Sequence, residues 1–278
     1  IQQCAVISGE LENFWTLERA INRHEIDTVF HLGAQPIVDM AHRFPLQTFE
    51  ANIRGTYNLL EVCRIHRQLV NRVVIASSDK AYGPHDELPY TEEMELRGRH
   101  PYEVSKSCTD LIAQCYAHTY QLPVCIARCG NIFGGGDLNW SRLVPATIRS
   151  ILRGQRPILR SDGTFLRDYI YVKDASGAYL CLAQAMENAS ASVPNVSGEA
   201  FNFSPEAALS VLDVVGQITK MMGREDLTPD IRNTAQGEIP SQYLDSTKAR
   251  RMLNWKPQWS MEDGMRETID WYRNFLNA

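Results

Sequence analysis

The strongest constraint on the fold is an alternation of two kinds of segment along the chain. Short β-branched runs, Ala5 to Ser8, Thr28 to Ala34, Arg72 to Ser78 and Pro123 to Gly130, are separated by longer stretches with helical spacing. The runs are nearly continuous in apolar residues, the pattern of strands covered on both faces. Between them, Thr48 to His66 brings Phe49, Ile53, Thr56 and Leu60 to one helix face, and Tyr102 to Tyr120 is spaced similarly. Strand and helix in this order predict an α/β fold, a doubly wound parallel sheet with helices on both sides. Such sheets bind ligands at the carboxyl ends of their strands, which directs attention to Gly33 to Val38, Ser77 to Gly83 and Cys129 to Asp137.

The C-terminal part is patterned differently. A helix around Ser210 to Met222 carries Val211, Val214, Val215 and Ile218. Thr247 to Leu253 follows, and a last helix starts at Ser260 with Asp263 three residues on, as in a capping box. Met265, Ile269, Tyr272 and Leu276 form its apolar stripe. These helices are expected to form a smaller lobe over the sheet's open edge, with Trp255, Trp259 and Trp271 as packing residues. The polar stretch Asn188 to Gly198 reads as a surface loop. With 278 residues and 44% hydrophobic content, the chain can bury a sizeable core in one large unit or in a main domain plus a smaller one.

A net charge of -5 argues against nucleic-acid and membrane-surface partners, which require a positive field, and favours a small molecule. The seven cysteines include no C-x-x-C pair and sit mostly in apolar segments, a usage that suits a reducing cytoplasm. Cys125 and Cys129 lie in a strand-like run with no cluster to complete a metal site, so no metal is expected. There is neither a membrane-spanning apolar run nor a signal-peptide pattern. Ile1 in place of Met suggests a chain that begins part-way through a natural protein.

Three signals carry chemistry. In Tyr102-Glu103-Val104-Ser105-Lys106 the phenol and the ammonium are four residues apart and share a helix face, so the cation can ease deprotonation of the phenol and make it a general base. Ser77-Ser78-Asp79-Lys80-Ala81-Tyr82-Gly83 delivers two hydroxyls, a carboxylate and an amine to a strand end. Read singly, the first would be a surface Tyr on a Lys stem and the second a solvated turn; their order and distance together favour an active site. From Arg142 to Arg167 there are six arginines and one acid, Asp162, and guanidinium forks suit diphosphates. The plainer reading makes Arg142, Arg149 and Arg153 a solvated helix face, and it is favoured for Arg149 and Arg153.

These motifs, with Phe30 to Gln35, Asn52 to Leu60, Arg128 to Gly134, Arg167 to Val172 and Leu253 to Pro257, make the chain resemble the extended short-chain dehydrogenases/reductases, the NAD-dependent nucleotide-sugar epimerases and dehydratases. The resemblance implies a Rossmann-like fold over 1–133 and 163–204 that binds NAD, and a substrate domain over 134–162 and 205–278. It also implies that Tyr102 takes the sugar 4-hydroxyl proton, Lys106 holds the nicotinamide ribose and Ser78 bonds the sugar. Cofactor contacts are implied for Glu10, Leu11, Leu32, Gly33, Ala34, Asn52, Ser77, Tyr102, Lys106 and Cys129. Contacts to a nucleotide-diphosphate sugar are implied for Gln35, Ser78, Asn131, Arg142, Leu143, Arg167 and Tyr243. A homodimer through the helices at Thr48 to His66 and Tyr102 to Tyr120 is implied as well.

The family's Gly-rich turn after the first strand is not among these residues, and Gly134-Gly135-Gly136 follows a late strand and is no substitute. If Gly9-Glu10-Leu11 is the third-strand end, the N-terminal βαβ lies before Ile1, and weak NAD binding by this polypeptide is expected. Within the family, Asp79-Lys80 supplies the acid–base pair that a 4,6-dehydratase needs and an epimerase does not. The Asp-Lys form and Gly130 to Asp137 resemble CDP-glucose 4,6-dehydratases, whereas the Arg-Asp-Tyr at Arg167 is the generic version. The alternatives are a 4-epimerase and a non-catalytic dinucleotide- or sugar-binding module of the same fold.

Overall fold

The structure is a computed structural model and describes residues 4–188, 195–234 and 239–277. In chain order it contains α1 (Phe14–Arg23), β1 (Thr28–His31), α2 (Val38–Arg43), α3 (Pro45–Phe49), α4 (Gly55–Ile65), β2 (Arg72–Ala76), α5 (Pro101–Tyr120), β3 (Val124–Cys129), β4 (Asn131–Phe133) and α6 (Leu143–Leu152). There follow β5 (Ile158–Leu159), β6 (Leu166–Arg167), β7 (Tyr169–Tyr171), α7 (Val172–Glu187), β8 (Ala200–Phe203), β9 (Leu209–Ser210), α8 (Val211–Met221), β10 (Asp230–Ile231), β11 (Ser241–Gln242), α9 (Thr247–Leu253) and α10 (Met261–Leu276). The chain separates into two compact units. The first is Ile1–His85, Glu92–Arg128 and Tyr179–Phe201; the second is Asp86–Thr91, Cys129–Ala178 and Asn202–Ala278.

The first unit is built on a sheet of order β1-β2-β3-β8, with β1 and β3 both parallel to β2. Val73, Val74 and Ile75 of β2 are all fully buried although successive side chains point to opposite faces, so both faces are covered. Val73 and Ile75 pack with Leu60 and Cys63 of α4, Ala113 of α5 and Ile126 of β3. Two expectations are corrected here. Ala5 to Ser8 is not a strand: the run is exposed, and β-branched residues make a strand only where a neighbour pairs with the backbone. Thr48 to His66 is not one regular helix, because a π turn at Glu50–Arg54 separates α3 from α4. That turn presents the Asn52 carbonyl to the hydroxyls of Thr56 (2.5 Å) and Thr109 (3.1 Å), both of which donate to it.

Among the described residues the second unit has three small sheets, β4 beside β7, β11-β6-β9 and β10-β5, and a separate core. Ile148 of α6, Val214 and Ile218 of α8, and Met265, Ile269 and Tyr272 of α10 fill that core, following the stripes read from the sequence. Ser260 Oγ accepts the Asp263 N–H at 3.0 Å and opens α10 as expected. The tryptophans pack: Trp255 meets Phe203 edge-on, Trp259 lies against Tyr171, and Trp271 stacks on Phe275. Gly134 and Gly135 are small because Val172 and Trp271 occupy the space a Cβ would take, a packing reason unrelated to phosphate. Of the expected loop Asn188 to Gly198, residues 189–194 lie outside the described residues. Among the described residues no helix is long and apolar enough to cross a membrane, and no cluster of three metal-ligating side chains occurs.

Candidate active site

In the first unit, the carboxyl end of β2 leads into a 3-10 turn, Asp79–Tyr82. Ser78 Oγ accepts the Lys80 N–H at 3.2 Å and donates its proton to Asp79 Oδ1 at 2.9 Å, so this hydroxyl both starts the turn and aims the carboxylate. Asp79 is buried and Lys80 half-buried, which sets aside the reading of a solvated ion pair. The turn ends on Gly83 at φ +66, where a Cβ would run into the Arg97 carbonyl.

Tyr102 and Lys106 lie on the first turns of α5. Both are buried, at 9% and 6% exposure, so the surface reading fails for them too. Lys106 Nζ donates to the Ala76 carbonyl at 2.8 Å, which ties α5 to the end of β2 beside Ser77. Burial pushes the Lys106 ammonium down to about 8, with Asp110 one turn later acting in the opposite sense. The Ser77 hydroxyl is buried without a hydrogen-bond partner. Asn52, on the π turn, donates to Ser105 Oγ (2.9 Å) and the Gln35 carbonyl (3.1 Å), and accepts the Gln35 N–H at 2.6 Å. Ser105 in turn donates to the Tyr102 carbonyl at 2.7 Å.

The other expected residues of this unit are placed less directly. Leu11 packs where side chains on Gly33 and Gly55 would stand, and Asn58 donates to the Leu11 and Glu12 carbonyls, so Glu10 and Leu11 are held beside the end of β1. Glu10 and Leu32 are exposed and Ala34 half-buried. The Gln35 amide bonds Ile37 and Thr48, shaping the loop after β1.

Three groups had escaped the sequence. His31, at the end of β1, is buried, and burial, then the Lys106 charge, push it down to about 4, so its imidazole is neutral. Thr56 Oγ1 spends its proton on the Asn52 carbonyl, so the 2.9 Å bond to His31 must be donated by His31 Nε2. Asp110 and Arg128 form a buried bidentate pair at 2.8 and 2.9 Å, and Arg128 Nη1 donates to Tyr82 Oη at 2.8 Å. The available signals were a His in a β-branched run and an acid four residues after Lys106.

The second unit gathers its candidates around β4, β6 and β11. Asn131 opens β4 and pairs with Tyr169, two residues beyond Arg167. Arg167, on β6, is buried and donates to the Leu166 (2.8 Å) and Pro240 (3.1 Å) carbonyls; it pairs with Gln242, the neighbour of Tyr243. Arg142 precedes Leu143 at the start of α6, exposed and 3.2 Å from Asp137. Cys129 ends β3, buried. Arg149 lies over the Trp140 ring at 4.5 Å.

A parallel α/β sheet with a buried Tyr–Lys pair on the helix beside its strand ends defines a Rossmann-like protein of the short-chain dehydrogenase/reductase type. The chain belongs to the GDP-mannose 4,6 dehydratase family, whose model matches residues 1–268. It is similar to the CDP-glucose 4,6-dehydratase of Salmonella typhimurium, at 27% identity over 97% of this chain and 77% of that one. Among solved structures, a dTDP-glucose 4,6-dehydratase of Streptomyces venezuelae with NAD bound superposes with a TM-score of 0.85 at 28% identity, covering 96% of this chain and 78% of that one. The UDP-glucose 4-epimerase of Thermotoga maritima, with UDP-glucose, gives a TM-score of 0.87 at 27% identity, covering 96% and 84%.

Proposed function

We propose that this chain is an NAD-dependent 4,6-dehydratase that converts a nucleotide-diphosphate glucose, with CDP-glucose as the leading candidate, into its 4-keto-6-deoxy derivative and water. The observation that carries the reading is the Asp79–Lys80 turn, built by Ser78 in the same unit as the buried Tyr102 and Lys106. A 4-epimerase uses the tyrosine and has no need of a second acid–base pair.

The residues fit NAD. The Lys106 ammonium keeps two N–H donors beyond the one given to Ala76, next to the unpartnered Ser77 hydroxyl, as a ribose diol requires. When bound, NAD would supply a hydride carrier that takes the hydrogen from C4 of the sugar and returns it to C6. Tyr102 accepts the O4 proton as the C4 ketone forms. Lys80, as base, takes the C5 proton that the ketone has made acidic. The electron pair left at C5 expels the C6 hydroxyl, which leaves as water with the proton from Asp79. As C6 of the resulting C5–C6 double bond receives the hydride first removed from C4, a proton from solvent returns to C5. Ser78 orients Asp79 and keeps a lone pair for a sugar hydroxyl. In the second unit, Arg142 and Arg167 are the proposed diphosphate ligands, and Asn131, Leu143 and Tyr243 the remaining nucleotide-sugar contacts. Glu10, Leu11, Leu32, Gly33, Ala34, Asn52 and Cys129 are the proposed cofactor contacts.

A cytoplasmic setting is supported by the seven cysteines, which include no C-x-x-C pair and sit mostly in apolar segments. A homodimer is supported by Tyr57 and Ile65 on α4 and Leu111 and Tyr120 on α5, all large and exposed.

Substrate deuterated at C4 tests the reaction type. The dehydratase places deuterium at C6 of a 4-keto-6-deoxy product with a solvent-derived hydrogen at C5. Deuterium retained at C4 of an inverted sugar would replace this assignment with the epimerase.

A further inference from the structure

The dehydratase reading leaves open what holds the Asp79–Lys80 turn in place. A four-residue turn with side chains on both sides of a strand end has little rigidity of its own. Its last residue, Tyr82, is fully buried and is held three times over. Its Oη accepts from Arg128 Nη1 at 2.8 Å, its ring lies 4.9 Å under the same guanidinium, and its carbonyl accepts the Arg97 N–H at 2.9 Å. Arg128 is fixed by the bidentate bond to Asp110, which stands on α5 one turn beyond Lys106. A second tie runs from Ser107 Oγ, also on α5, to the Ala81 carbonyl at 2.8 Å.

A buried ion pair is a poor device for stability alone, because desolvating two charges consumes most of what their attraction provides. What it offers is direction: a planar guanidinium held by one edge on a carboxylate has its outer Nη1 aimed at a fixed place. Here that place is the hydroxyl closing the turn of the proposed acid and base, and the carboxylate belongs to the helix of the proposed O4 base.

We propose that Tyr82, clamped by Arg128 and Asp110, is a positioning residue that sets the Asp79–Lys80 pair against the helix carrying Tyr102 and Lys106. The inference rests on the dehydratase reading. It requires that loosening the clamp slow the elimination, which uses Asp79 and Lys80, and spare the initial oxidation, which uses Tyr102 and Lys106.

Tyr82→Phe removes only the oxygen that Arg128 holds and leaves the Asp110 charge beside Lys106 untouched. Ser107→Ala releases the second tie without creating a buried charge. In single turnovers with CDP-glucose, the near-ultraviolet absorbance of reduced nicotinamide reports the oxidation, and quenched product analysis reports the elimination. In both variants oxidation is expected within a few-fold of the parent, while elimination falls about ten-fold or more in Tyr82→Phe and less in Ser107→Ala. The reduced form therefore accumulates. Equal losses in both steps, or no loss in either, overturn the positioning role while leaving the dehydratase reading intact. A parent enzyme that forms no 4-keto-6-deoxy product overturns both.

Discussion

At the scale of single residues, the buried site separates groups by what their surroundings allow. Tyr102 stands four residues before Lys106 on α5, and Tyr102→Phe keeps the ring in its packing while removing the proton acceptor. We expect kcat to fall by ~10²–10⁴ with an unchanged thermal unfolding midpoint; a variant within a few-fold of the parent would take Tyr102 out of the mechanism. His31 makes an independent prediction. Its folded value is about 4 and its ordinary value 6.5, so between those pH values the unfolded chain binds the additional proton. Stability must then drop as pH falls from 6.5 towards 4, by up to about 3 kcal/mol from this residue. Urea midpoints of the parent and His31→Gln over that window check it: the variant's curve should be the flatter, and parallel curves refute the assignment.

At the scale of elements, the π turn and the 3-10 turn supply the two departures from regular structure that shape the site. Both are places where side chains bond the backbone: Thr56 and Thr109 donate to the Asn52 carbonyl, and Ser78 accepts the Lys80 N–H, a first-turn donor with no partner inside the turn. Gly83 closes the second of these with φ +66 and ψ -161, a region in which an L side chain is strained even before the Arg97 backbone blocks it. Gly83→Ala should cost about 1–3 kcal/mol in denaturant unfolding from the backbone alone, with a matching loss of dehydratase turnover as the turn is pushed off. An alanine variant as stable as the parent would mean that the turn relaxes freely.

At the scale of the whole molecule, the two units have separate cores, and the proposed nucleotide contacts Arg142, Arg167 and Tyr243 fall in the second unit. The similar proteins reported above carry three different nucleotides in their names, CDP, dTDP and UDP. Because Asp79-Lys80 resembles the CDP-glucose enzymes, we expect the highest kcat/KM with CDP-glucose in a panel of the three nucleotide glucoses assayed for 4-keto product. A preference for dTDP-glucose would reassign the nucleotide and leave the acid–base roles unchanged. Sedimentation equilibrium tests the dimer, with Leu111→Asp and Ile65→Asp expected to shift it to monomer.

The sequence by itself determined the features whose cause is local. The β-branched runs became β1, β2 and β3, the stripe from Met265 to Tyr272 became the buried face of α10, and the spacing of Tyr102 and Lys106 on one helix followed from the helical period alone. Ala5 to Ser8 shows the limit of that reasoning, because the same β-branched composition remains an exposed segment outside the strands of the described residues. Only the tertiary structure decided that Asn52 would sit on a π turn, that His31 would be a neutral donor to Thr56, and that Arg128 would join Asp110 to Tyr82. Those partners lie between eighteen and forty-six residues apart. Whether a buried polar group finds its partner, and in which charge state, depends on water being excluded by the packed fold, which no periodicity in the chain encodes.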